Sequence, residues 1–242
     1  MGSWADWGRN GIDFFNRFFM EIVNLVTLFI PILVLVSMIK LTLHIGVDAL
    51  IPFGKLIIAT VLGLPLAVIF SALLISIRCK LTPLPFIKKM VAFLPLPFAL
   101  SDSTASMPAT FTFCKEKLGM NPKFTSFTIP VGMQLNMDGT AYYVAIISMI
   151  MAHTFEINID WQFCISFFLA HFIISLTGIG ILAMPPIYAA FGIPEVAIAM
   201  VIGVEPILDM FGTAQSVTGN VTASFLVCNE QNAIDKNIYS TK

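Results

Sequence analysis

Gln134-Leu135-Asn136-Met137-Asp138-Gly139-Thr140 stands in the middle of an apolar run from about Phe124 to Ala152 that is long enough to cross a bilayer. An aspartate at the centre of a spanning helix costs about 2.5–3.5 kcal/mol on insertion scales, while one leucine returns at most about 0.6 kcal/mol. Roughly six leucines are needed to offset one carboxylate, so Asp138 must have a partner and cannot face lipid. Gly139 beside it lowers helix propensity further. An unwound turn over Asn136 to Gly139, with freed carbonyls aimed at a cation, accounts for both features.

Outward from this point, the last apolar segment, Pro194 to Val227, carries Glu205, Asp209, Gly212, Ser216 and Asn220 at spacings of four, three, four and four. That spacing lines all five on one helical stripe. Two carboxylates one turn apart repel if both are ionised, so either a cation sits nearby or one holds a proton, for which Glu205 is the candidate. A single buried acid satisfied by hydroxyls or amides of a neighbouring helix is the plain alternative for each residue. Three acids in one interrupted region point instead to a solute or ion pathway.

Composition sets the solvent. With 57% hydrophobic residues, 11% charged residues and a mean hydropathy of +0.90, the chain lies far from the roughly 25% charged content of soluble domains and reads as a polytopic membrane protein. Thirteen basic residues against fourteen acidic ones leave no basic face for phosphates, so nucleic acid is excluded as a partner. Cys79, Cys114, Cys164 and Cys228 form no C-x-x-C pair, and His44, His153 and His171 are scattered, which reads as packing rather than metal chemistry. The start of the chain does not read as a signal peptide.

Two plain spans are expected, Ile22 to Ile39 and Leu56 to Ile77, carrying Pro31 and Pro65 as kink sites. Leu84 to Cys114 differs: an apolar limb, a polar tip over Ser101 to Ser106, then Pro108 and a second limb, each limb too short to cross. A re-entrant hairpin fits. Trp161 to Phe191 repeats the plan, with a tip at Leu176 to Gly180 and paired Pro185 and Pro186. If the first hairpin enters from the cytoplasm, 11 of the 13 basic residues lie inside, leaving Lys40 and Lys55 outside. The link His153 to Asp160 has no Lys or Arg, so the second hairpin enters from the opposite side. The expected fold is an all-α membrane protein with two opposed re-entrant helical hairpins, an inverted repeat with its binding site near the bilayer midplane.

These residues resemble a family. Asn136-Met137-Asp138-Gly139-Thr140 is similar to the NMDGT signature of the dicarboxylate/amino acid:cation symporters, which include the glutamate transporters. The Ser-rich tip at 101 to 106, Ser126 to Pro130, Asp209-Met210 and Val217-Thr218-Gly219 match in the same order, from about residue 10 to 230. The resemblance implies two transmembrane helices within 14–80, a transport core over 81–230 (hairpin one, helix seven, hairpin two, helix eight), and cytoplasmic segments 1–13 and 231–242. It implies an elevator-type core that slides against a scaffold, homotrimeric where that scaffold is present, in the cell membrane with both ends cytoplasmic. The four helices that precede these in the family have no counterpart in the 242 residues, so the chain looks like the C-terminal part of such a carrier.

Carried over by position, the resemblance implies that Ser103, Thr104, Thr140, Gly178, Asp209, Gly212, Thr213 and Ser216 line the substrate. Asp209 takes the place of the acid that holds the substrate amino group. Gly132, Asn136, Met137, Asp138, Ser216 and Asn220 would hold sodium. Four departures matter. Gly212 stands where the family has its substrate-selecting arginine, so acidic substrates lose their bidentate clamp. Ser216 replaces an asparagine, and Asn220 replaces a cation-binding aspartate. Hairpin two lacks a Gly-rich tip. The expected activity is sodium- or proton-coupled uptake of a small, non-acidic amino acid or related solute, with no enzymatic step. The alternatives are a truncated or degenerate paralogue that transports nothing and, from another class, an intramembrane aspartyl protease using Asp138 and Asp209, for which the G-x-G-D-type motif is absent.

Overall fold

In a computed structural model, the structure describes Ile39 and residues 51–175 and 184–241. The expected helix Ile22 to Ile39 (its last residue apart) and the tip of the second hairpin, with Gly178, lie outside the described residues. Two compact units divide the chain, Met1–Ala49 and Leu50–Lys242; the second is described below. It is helical, and among the described residues the one β feature is an isolated bridge between Met120 and Ile234.

Helix α1, Ile51–Cys79, extends the span expected from Leu56 to Ile77 and continues through Pro65. One face is buried, with Leu56, Val68, Ala72 and Ile75 at its centre; the other exposes Ile58, Leu62, Leu66, Phe70, Leu73 and Ile77, as a lipid-facing helix should. Helices α2 (Pro83–Phe93) and α3 (Pro95–Leu100) each start on a proline, whose missing N–H falls where no helical bond is lost. Ser101 closes α3 in the left-handed region at φ 49°, and α4, Met107–Glu116, returns after the polar tip. Two helical limbs joined by a polar turn therefore occupy the stretch expected as a re-entrant hairpin. Its second limb is short, at 10 residues. Its first limb corrects the expectation from sequence: Pro83–Leu100, like Gly54–Cys79, is long and apolar enough to cross a membrane. At Leu94 the missing N–H of Pro95 interrupts the helical bonding, while Leu94 keeps helical angles (φ −55°, ψ −31°) and its own bonds to Met90 and Phe98.

Helix α5 spans Pro122–Leu135 and α6 spans Asp138–Thr154, with Asn136 and Met137 non-helical between them. Helices α7 (Trp161–Ser175) and α8 (Met184–Ala190) pack through Phe163, Phe167 and Phe191, with ring centroids 5.0–5.3 Å apart. Helix α9, Glu195–Glu230, runs 36 residues, about 54 Å at 1.5 Å each, and packs against α1, α3, α5 and α6. Val217, Val221 and Phe225 of α9 meet Ala72 and Ile75 of α1, Phe86 and Met90 of α2, and Ile129 and Met133 of α5 in one core.

Of the residues 231–242 expected as a tail, 231–241 fold back. Helix α10, Lys236–Ser240, is capped by the Asp235 carboxylate and buries Tyr239 completely. The Tyr239 hydroxyl donates to the Thr82 carbonyl at 2.8 Å, and its ring meets Phe225 at 5.3 Å. Lys89 donates from Nζ to three carbonyls, Lys117 (2.8 Å), Ile238 (2.9 Å) and Tyr239 (2.8 Å). These close the C-terminal ends of α4 and α10, where partial negative charge collects. Gly119, at φ 69°, lies where a Cβ would meet the Asp235 carbonyl at 2.5 Å, so this turn takes only glycine. The segment thus staples the foot of the first hairpin to the end of α9.

Candidate functional site

The site is built on the antiparallel seam between the broken helix α5–α6 and α9. Asn136 donates from its backbone N–H to the Gly132 carbonyl at 2.7 Å, and from Nδ2 to the Ser216 carbonyl at 3.1 Å. Gly139 N–H, the first donor freed by the break, is shared between Asp138 Oδ1 at 2.9 Å and Ser216 Oγ at 3.1 Å. Farther toward the start of α5, Asn220 Nδ2 donates to the Ile129 carbonyl at 3.2 Å. In the other direction Tyr143 lies beside Thr140 and in electrostatic reach of Asp209 and Glu205. The unwound turn expected from sequence is thus real but shorter, confined to Asn136 and Met137.

Glycine makes this approach possible. A Cβ on Gly139 would fall on the Gly212 carbonyl oxygen, one on Gly132 on Asn220 Oδ1, and one on Gly219 on Asp138 Oδ2. Gly212 is different: its Cβ would meet the Tyr143 ring at 2.6 Å. The space that a side chain at position 212 would need is filled by an aromatic ring.

The acids share the seam but not one cavity. Asp138 opens on a cavity of about 260 Å³ lined by Gly63, Leu66 and Phe70 of α1 and by Tyr142, Gln215 and Gly219; neither Asp209 nor Glu205 lines it. Asp209 and Glu205, both half-buried, lie at the level of Tyr143, in electrostatic reach of each other, and Asp209 also of Asp102 in the hairpin tip. Phe98 packs edge-on against Phe211 at 4.9 Å and holds that tip beside α9. Within the tip, Asp102 Oδ1 accepts the N–H groups of Thr104 (2.7 Å) and Ala105 (3.2 Å), and Ser106 Oγ donates to the Ser103 carbonyl (2.8 Å). The backbone amides of Thr104 and Ala105 are therefore spent within the tip.

Thr213 and Ser216 are buried on the stripe, Thr140 is half-buried, and Met137 is exposed with its carbonyl accepting from Ala141 N–H at 2.9 Å. Asn220 is 1% exposed, and its Oδ1 has no hydrogen-bond partner. That oxygen is seated over Gly132 and keeps its lone pairs uncommitted, so it can serve a cation or a water. The donors gathered here, amide, carboxylate, hydroxyl and carbonyl oxygens, suit a hard cation. Two residues escaped the sequence reading. Tyr143 falls four residues after Gly139 and three after Thr140, on the same face of α6, a spacing that could have flagged it. Asp102 was indistinguishable from any other polar tip residue.

The family model described as "Sodium:dicarboxylate symporter family" matches residues 8–229. The chain is 28% identical to the L-cystine uptake protein TcyP of Bacillus cereus, over 98% of this chain and 52% of that protein. It is 29% identical to excitatory amino acid transporter 3 of Mus musculus, over 94% and 45% respectively. The chain thus spans about half the length of the curated relatives it matches.

Proposed function

The chain belongs to the sodium:dicarboxylate symporter family, and on that premise we propose that it is the transport core of a membrane carrier that moves a small, amine-bearing, non-acidic solute with sodium. The relatives are named for uptake of cystine and of excitatory amino acids, so the solute is amino acid-like. Asp209, beside Tyr143, receives the solute's ammonium group; a charge-assisted bond in a dry site is about twice as strong as a neutral one. Thr140, Thr213 and Ser216 border that position, with Ser103 and Thr104 in the tip opposite. Sodium is held by oxygens of Asn136, Asp138, Ser216 and Asn220, with carbonyls of Gly132 and Met137. Glu205 is the proton carrier if a proton replaces sodium.

The two helical hairpins, 84–114 and 161–191, act as re-entrant gates. The core 81–230 slides against a scaffold, trimeric in the assembled carrier, and Ile51–Cys79, which packs on α9, travels with it. Both chain ends are cytoplasmic. The observation that carries the function is the broken helix pinned by Asn136 and Gly139 to Ser216, with Asn220 Oδ1 buried beside it and unpaired.

Reconstituted in liposomes with a sodium gradient, the protein is expected to accumulate a neutral or amine-bearing amino acid from a radiolabelled panel, and Asp209→Ala to reduce uptake at least a hundredfold. A second reading, a carrier that has lost transport, is favoured by the tip amides of Thr104 and Ala105 being occupied by Asp102. It prevails if no solute accumulates and none raises the unfolding temperature.

The Tyr143 ring makes a further prediction about selectivity. Gly212→Arg alone is expected to leave acidic solutes excluded, because the guanidinium has no room. Gly212→Arg with Tyr143→Ala is expected to gain at least tenfold in aspartate affinity, about 1.4 kcal/mol. Competition binding checks both; equal gain from the single variant would show that the ring yields freely.

A further inference from the structure

Among the described residues, four buried side-chain oxygens lack a hydrogen-bond partner: Thr60 Oγ1, Thr128 Oγ1, Asn220 Oδ1 and Ser224 Oγ. Three of the four fall on one seam. Helices α5 and α9 run antiparallel there, Asn136 meeting Ser216 and Gly132 meeting Asn220. Thr128 lies one turn before Gly132 and Ser224 one turn beyond Asn220, so the next level of the same register sets Thr128 opposite Ser224.

Helical hydroxyls commonly close on the carbonyl four residues back. On these same two helices Thr125 does so at 3.2 Å and Thr218 and Thr222 at 2.8 Å. Thr128 and Ser224 do not, although Ser224 is 1% exposed. Each hydroxyl oxygen therefore keeps its lone pairs uncommitted, and its hydrogen can rotate to suit a ligand. Asn220 Nδ2 donates to the Ile129 carbonyl, which leaves Oδ1 in the seam over Gly132. The level is rich in acceptors, poor in donors and without a carboxylate. Cys228 and Phe124, one turn farther on each helix, belong to the apolar core and its margin and close it off.

We propose that Thr128 and Ser224, together with Asn220 Oδ1, ligate an alkali-metal cation. Two hydroxyls there take over coordination that an aspartate at position 220 would otherwise supply. This rests on the sodium-coupled function above and extends its cation site one turn along the seam. Neutral oxygens suit a monovalent ion, since calcium and magnesium sites draw on carboxylates.

The test uses the full chain in lipid nanodiscs, with radioactive sodium binding measured directly and thermal unfolding measured in sodium chloride against choline chloride at fixed ionic strength. Thr128→Val with Ser224→Ala is expected to raise the half-saturating sodium concentration at least tenfold. The same pair should leave the unfolding temperature in choline unchanged or higher, because an unpaired buried hydroxyl carries a desolvation cost that disappears with it. Sodium-dependent stabilisation, which follows occupancy of the folded state, should shrink in parallel. If the double variant does not fold, the near-isosteric Thr128→Val alone is read in the same way. An unchanged half-saturation in a variant whose parent binds sodium, and loses binding on Asn136→Ala, overturns the assignment while leaving sodium coupling intact. A parent protein that binds no sodium overturns both.

Discussion

Gly139→Ala is expected to destabilise the protein by about 3 kcal/mol, the top of the ordinary range for overpacking. The added methyl falls on the Gly212 carbonyl oxygen, with the Ser216 N–H 2.9 Å away, so backbone meets backbone and no rotamer change relieves it. Relief requires parting α6 from α9, which breaks the bonds from Gly139 N–H to Ser216 and from Asn136 to the Ser216 carbonyl. Gly54→Ala in α1 is the control. Nothing lies within 4 Å of its added carbon, and replacing a helical glycine there should gain up to about 1 kcal/mol. Thermal unfolding of the two variants in one detergent compares them. A Gly139→Ala midpoint matching that of Gly54→Ala would mean the seam is looser than its contacts require.

Tyr239→Ala is expected to cost about 4 kcal/mol, within the range for emptying a large aromatic site. The side chain is fully buried against Phe225 and anchored to the Thr82 carbonyl. Its loss also frees α10, whose last carbonyls are two of the three that hold the Lys89 ammonium. Tyr239→Phe keeps the packing, strands one carbonyl and should cost about 1 kcal/mol. Hydrogen exchange distinguishes the two. The alanine variant should lose protection together over residues 231–241 and at Gly119 to Asn121, since Asp235 N–H bonds the Gly119 carbonyl and Asn121 N–H bonds the Ala233 carbonyl. Loss of protection confined to α10 would show that the staple does not reach the foot of the hairpin.

The helical class, the break at Asn136, the polar turn after Leu100 and the stripe on α9 were all legible from residue order. Each is a local conflict, a carboxylate, a glycine or a cluster of hydroxyls inside an apolar run, and such conflicts have few resolutions in a membrane. Partners chosen across the fold were not legible. Tyr143 reaches Asp209 only because α6 and α9 come together at Gly139 and Gly212. Asp138 turns to a cavity shared with α1, which no spacing within its own helix announces. Lys89, which reads as a side-of-membrane marker, is bound by backbone carbonyls, and a main-chain acceptor leaves no trace in sequence.

The repeat of four along both partners of the seam has a cost. Gly132 and Asn136 on one side face Asn220 and Ser216 on the other, with Thr128 and Ser224 next in the same spacing, and polar groups at equal intervals look much alike after a slip of four residues, about 6 Å. Alignment therefore depends on a few notches: the Asn220 amide seated over bare Gly132, and the Gly212 carbonyl seated over bare Gly139. Filling a notch would do more than crowd the interface; it would remove the key by which the two helices find their one correct phase.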